Sequence, residues 1–234
     1  GVAAPALFEA VAAESSKKIS AFNAQELANT AWAFSTAGVE APLLFQAVAA
    51  EAPAKIVAFD SQALSDTVWA FSKAGTKAPL LFDAVNAEAL EKMATFNAQS
   101  LAKTAWAFAK AGVEAPELFD FIAAEASKKI HKFTSQNLCR LAWAYAKAGV
   151  SAPALFQTVS TQATKKISTF DAQDLAGIAW AFSTAFVPAP LLFEAVATES
   201  SKKIAMFNSQ DMANMVWAFA KAGAAHRPLF DAVA

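Results

Sequence analysis

The sequence predicts an all-α fold, an α-solenoid of right-handed type made of helix–turn–helix repeats. Three observations predict it. The six tryptophans Trp32, Trp69, Trp106, Trp143, Trp180 and Trp217 are each separated by 37 residues. Glycines Gly1, Gly38, Gly75, Gly112, Gly149 and Gly223 keep the same count, with Phe186 as the exception. Between them, apolar residues recur at helical spacing in two runs per unit. A fixed period of this length is the signature of a stacked repeat array rather than of one or two globular domains. The units read 1–37, 38–74, 75–111, 112–148, 149–185 and 186–222, with a cut-off seventh at 223–234, as one domain without a linker. No polar cap is visible at either end, so the chain is expected to be part of a longer array.

Residues 5–37 justify the elements in order. Pro5 suits the first turn of a helix, where an N–H is not needed. Leu7, Phe8, Val11, Ser15 and Ile19 form one face of a first helix, which Phe22 ends. Asn23 is a good N-cap for the second, as are Asp60, Asn97, Thr134, Asp171 and Asn208. Leu27, Ala28, Ala31, Trp32, Phe34 and Ser35 are its apolar or small face, and Gly38 closes it. Pro53 should shorten or kink the first helix of its repeat.

The aromatics fall almost wholly in the columns of Phe8, Phe22, Trp32 and Phe34, with only Phe121 and Phe186 outside. A stacking ladder for bases would look like this, but a large ring at one helical position per unit is favoured as core. Cys139 stands in a column of Ala and Ser, which marks it as a small buried residue. One cysteine allows no internal disulfide, a weak pointer to an intracellular setting.

Catalysis is not expected. His131 and His226 lie on different repeats, no Cys/His cluster has metal spacing, and the glycines are single. No cofactor or metal is expected. No stretch reaches the length of a membrane span.

On a 100° wheel, positions 26, 29, 30, 33 and 37 share a face opposite Ala28, Ala31, Trp32 and Ser35. Three columns on it vary. They are Glu26, Ala63, Ser100, Asn137, Asp174, Asp211; Asn29, Asp66, Lys103, Arg140, Gly177, Asn214; and Thr30, Thr67, Thr104, Leu141, Ile178, Met215. Helical-repeat RNA readers present two or three variable side chains per repeat in this way. The candidate base contacts are Glu26, Asn29, Thr30, Asp66, Ser100, Lys103, Asn137, Arg140, Asp174, Asp211 and Asn214. A solvated surface drifts similarly, and both readings stand.

Two lysine sets are candidate phosphate contacts. Lys73, Lys110, Lys147 and Lys221 end the second helix near the variable face, with Thr36 and Thr184 interrupting. Lys18, Lys55, Lys92, Lys129, Lys166 and Lys203 occur once per repeat at the end of the first helix. For this second set the structural reading is favoured. A Glu precedes each by four residues except at Gln162, and a cation suits a helix C-terminus. The constant Gln25, Gln62, Gln99, Gln136, Gln173 and Gln210 are expected to bond a neighbouring repeat's backbone. The charge of −1 argues against duplex binding and for a single strand on a local basic face.

At "LANTAWAFSTAG", with "FNAQ" before it and "APLLFQAVAAE" after, the sequence resembles the octotricopeptide and heptatricopeptide repeats of organellar proteins. The 37-residue period fits the heptatricopeptide form better. The resemblance covers essentially the whole chain. It implies RNA binding in a plastid or mitochondrion, in RNA stability, translation, processing or ribosomal RNA work. The expectation is a sequence-selective single-stranded RNA binder taking about one nucleotide per repeat. The rival is a protein-binding scaffold, an architectural subunit of a large organellar complex, supported by the near-zero charge and Ala-rich surface. A consensus-like engineered array is a third reading, against which Pro53, Phe121 and Phe186 speak.

Overall fold

The computed structural model describes residues 4–224. The expected seventh unit, with His226, lies almost wholly outside the described residues. The first helices of the hairpins are α1 (Pro5–Lys18), α3 (Pro42–Glu51), α5 (Pro79–Lys92), α7 (Pro116–Lys129), α9 (Pro153–Lys166) and α11 (Pro190–Lys203). The second helices are α2 (Ala24–Ala37), α4 (Ser61–Ala74), α6 (Ala98–Ala111), α8 (Ser135–Ala148), α10 (Ala172–Thr184) and α12 (Ser209–Ala222). The fold is an all-α solenoid of repeated hairpins, and no strand occurs among the described residues. It divides into two compact units, residues 1–121 and 122–234, and the division falls inside α7 rather than in a linker.

Local chemistry sets the boundaries. Each first helix ends in a 3-10 turn, such as Ile19–Ala21, after which Phe22 turns extended at φ −72° and ψ 135°. The next residue caps the second helix: the side chains of Asn23, Asp60, Asn97, Thr134, Asp171 and Asn208 each accept from an N–H three residues on. Asn23–Glu26 and Asn208–Asp211 are full capping boxes. Five second helices close on a left-handed glycine, Gly38 at φ 68° for example. In the fifth repeat Phe186 holds that conformation at φ 54°. Pro53 shortens α3 to 10 residues, and a 3-10 segment, Ala52–Ala58, completes the span.

The core lies between the two helix layers. Phe59, Phe96, Phe133 and Phe170 are fully buried, as are Phe71, Phe108 and Phe182. Within a hairpin the two phenylalanine columns meet edge to face, with Phe45–Phe71, Phe82–Phe108 and Phe156–Phe182 centroids 5.0 Å apart. The second helices also pack side by side, α2, α4 and α6 in the first unit and α8, α10 and α12 in the second. Ser72 Oγ on α4 donates to Ala107 O on α6 at 2.7 Å, and Ser183 Oγ on α10 donates to Ala218 O on α12 at 2.7 Å.

Candidate functional site

In each unit the central second helix, α4 or α10, is covered on three sides. The first helix of its own hairpin covers one, and the second helices before and after, α2 and α6 or α8 and α12, cover two more. The bonds of Ser72 and Ser183 show the geometry: the face of position 35 meets the face of position 33 in the next repeat. One stripe is left to solvent, at positions 25, 29, 32 and 36, which lie along one helical row at i, i+4, i+7 and i+11.

The columns expected to face RNA are therefore divided. Thr67, Thr104, Leu141, Ile178 and Met215 are fully buried, as are Ala70, Ala107, Ala144, Ala181 and Ala218 of the Ala33 column. Thr67 Oγ1 turns back to Ala63 O at 2.7 Å. Ser100, Asn137, Asp174 and Asp211 are also buried. Only in the first repeat, at Glu26 and Thr30, are those two columns open or partly open. A faint signal was present: Leu141, Ile178 and Met215 are not residues for a polar surface. The third column stays at the surface. Asn29 is exposed, Lys103, Arg140, Gly177 and Asn214 are half-buried, and Asp66 is mostly covered.

That third column carries the unusual electrostatics. Lys103 Nζ meets Asp66 Oδ1 at 2.5 Å across adjacent repeats of the first unit. In the second unit, burial lowers the Arg140 guanidinium below its ordinary pKa, against the opposing charge of Asp174. Burial raises the Asp174 carboxyl, opposed by a hydrogen bond from Ser135. On α10, Gly177 leaves room for a thiol: a Cβ there would stand 2.6 Å from Cys139 Sγ. Cys139, expected to be buried, is half-buried, and desolvation pushes its thiol far above the ordinary range, which disfavours the reactive thiolate.

The lysine sets separate by geometry. Lys92 Nζ reaches Glu88 Oε1 at 2.8 Å, Val57 O at 2.7 Å and Phe59 O at 2.8 Å. Lys55 makes the same three contacts to Glu51, Ser20 O and Phe22 O, and Lys203 to Glu199, Ser168 O and Phe170 O. Lys166, beside Gln162, holds His131 O and Phe133 O. An ammonium has three N–H donors, so in Lys55, Lys92 and Lys203 all three are taken. These lysines clamp one repeat to the turn of the repeat before it and leave no donor for phosphate. Lys129 pairs with Glu125 at 2.7 Å, and Lys18 pairs with Glu14 at 2.8 Å on the open surface.

The other set lies on the exposed stripe. Lys73 Nζ sits 4.8 Å from the Trp69 ring centre, Lys110 5.3 Å from Trp106, and Lys221 4.6 Å from Trp217. Lys147 is exposed at the same position. The tryptophans, expected in the core, are instead partly exposed, Trp32 at 41% and Trp217 at 45%. They lie ring against ring along each unit: Trp69–Trp106 at 6.4 Å, Trp143–Trp180 at 6.2 Å and Trp180–Trp217 at 6.5 Å. The glutamines that begin the stripe are exposed rather than bonded to a neighbouring backbone, and Gln210 Nε2 donates to Asn214 Oδ1 at 3.0 Å. The overlooked signal was the row itself, since Gln25, Asn29, Trp32 and Thr36 belong to a single helical stripe.

Residues 6–227 match the RNA-editing substrate-binding complex 6 protein family. The chain belongs to that family. Its match runs over all six repeats, so every second helix and every lysine clamp described above falls within the family's extent. The match supports the expected helical-repeat class and does not single out the octotricopeptide or heptatricopeptide repeats that the sequence resembles. No curated protein matches the chain. No group of His, Cys, Asp and Glu among the described residues could hold a metal ion, and no described helix is long and apolar enough to cross a membrane.

Proposed function

We propose that the chain is a non-enzymatic architectural subunit of an RNA-handling assembly of the kind its family is named for, placed in an organelle as the repeat resemblance suggests. The observation that carries this reading is the burial of the Glu26 and Thr30 columns in every repeat after the first. A reader with two or three variable side chains per repeat needs those columns in solvent. Here they are packed away from solvent and leave a repeating outer stripe, which suits contacts with proteins along its length. The family's name, which speaks of an RNA-editing substrate-binding complex, supports the same reading. The test is sedimentation of the tagged chain from its native cells before and after ribonuclease. A scaffold stays with the same protein assembly in both, and the assembly falls apart when the chain is depleted. Release of the chain by ribonuclease, or migration as a free monomer, overturns the scaffold reading.

A second reading, selective binding of single-stranded RNA at about one nucleotide per repeat, is favoured by one observation. The column of Asn29, Asp66, Lys103, Arg140, Gly177 and Asn214 varies and borders the exposed tryptophans. Readout then rests on one side chain per repeat, with Lys73, Lys110, Lys147 and Lys221 as phosphate contacts. Selection from a random single-stranded RNA pool tests it. A short enriched motif that changes at one position on Arg140→Ala supports the reading, and a flat pool sinks it.

A further inference from the structure

The exposed stripe segregates charge. In the first unit its positions hold Lys73, Lys103 and Lys110 against one carboxylate, Asp66, which Lys103 already pairs. In the second they hold Arg140, Lys147 and Lys221 and no carboxylate. The whole chain carries a net charge of −1, so the positive charge of this row is balanced by an excess of acids elsewhere. Every tryptophan of the chain is on the row as well. Cations alternating with half-exposed aromatic rings fit an anionic polymer that carries flat π surfaces.

We propose that the tryptophan–lysine ridge of each unit binds single-stranded RNA by ring stacking and phosphate neutralisation, without reading base sequence. This rests on the reading that the chain works in an RNA-handling assembly, and gives that assembly's scaffold its nucleic-acid contact. The spacing selects a single strand. Neighbouring rings lie 6.2–6.5 Å apart, roughly twice the ~3.4 Å rise per nucleotide of a stacked duplex strand. A strand drawn out along the row meets one ring per nucleotide, whereas the bases of a duplex stay paired and stacked out of reach. The lysines are placed for an exchange. Lys73, Lys110 and Lys221 lie over the rings. A base that takes the ring face displaces the ammonium by a few ångströms, toward the phosphate of the same nucleotide. An acidic protein segment could use the cations but has no need of the rings.

Intrinsic fluorescence reports on the ridge alone, because no tryptophan lies elsewhere. The chain is titrated with a 12-nucleotide mixed-sequence single-stranded RNA, the matching RNA duplex, and a polyglutamate 12-mer, at two salt concentrations. The expected result is quenching by the single strand, with affinity falling steeply with salt and little dependence on base sequence. The double variant Lys73→Gln/Lys110→Gln, in exposed side chains, lowers the salt slope by about 1.4. Trp69→Leu/Trp106→Leu weakens binding by about tenfold or more, with circular dichroism checking that the helices remain. Absence of quenching overturns the proposal, as do equal binding of the duplex, equal binding of polyglutamate, or full affinity in a folded Trp69→Leu/Trp106→Leu variant. If the ridge fails while ribonuclease-resistant assembly holds, the scaffold stands without an RNA contact. If assembly fails while the ridge binds, the scaffold reading falls alone.

Discussion

Replacing Lys92 by methionine removes a charge and three bonds while keeping most of the alkyl stem. The ammonium holds Glu88 at 2.8 Å and the carbonyls of Val57 and Phe59 at 2.7 and 2.8 Å. A hydrogen bond to a charged group contributes about 1.5–3 kcal/mol when well shielded. The Lys92 side chain keeps 29% of its surface and Glu88 13%, so water replaces part of what is lost and the ion pair is discounted. The sum is a cost of about 2–4 kcal/mol. For a chain of this size that lowers Tm by roughly 4–16 °C. Lys110→Met on the ridge loses only a contact to an exposed ring and should cost less than about 1 kcal/mol. Urea denaturation followed by circular dichroism compares the two, and native-state hydrogen exchange tests whether opening concentrates at the turn around Val57–Phe59. A Lys92→Met variant within 0.5 kcal/mol of the parent, or no worse than Lys110→Met, would refute the clamp and return this lysine to the pool of phosphate contacts.

Gly177→Ala puts a methyl 2.6 Å from Cys139 Sγ and should cost about 1–3 kcal/mol by overpacking. Cys139→Ala in the same chain should recover most of it, and a double-mutant cycle without coupling would show that the seam has slack there. Phe186→Gly should stabilise by about 1 kcal/mol, since φ 54° is strained for a side chain and free for glycine; thermal melting checks it, and a lower Tm would mean that the Phe186 ring, 4.6 Å from Lys221 Nζ, contributes more through that contact than the strain costs. Glu125 and Glu199 are held below their ordinary 4.5, chiefly by hydrogen bonds from Lys129 and Lys203 and then from Lys128 and Lys202. Their folded pKa values are depressed, so the stabilisation is present above pH 4.5 and is lost as pH falls through the folded values. Asp174, raised by burial, has the opposite sign, since its ionisation works against folding as pH rises through its folded value. Denaturation midpoints from pH 7 down to pH 3 should fall below about pH 4.5, and a flat profile would discount the clamp carboxylates.

The sequence by itself determined the repeat, its hairpin and its boundaries. These are local matters: a cap residue at Asn23 or Asp60, a left-handed position at Gly38, a proline at Pro53 that cannot continue a helix. The phenylalanine columns were legible too, because rings that recur in every unit at helical spacing have to share a seam. The exposed face was not. A wheel assigns an inside and an outside to one helix, but α4 and α10 each have two flanking second helices as well as their own hairpin. Packing on three sides buries Thr67 and Asp174, which read as surface, and leaves Trp69 and Trp180 partly open, which read as core. The same holds for Lys92, whose partner carbonyls belong to the preceding repeat. Periodicity records which positions resemble each other, and only the contact between repeats decides which of them meet water.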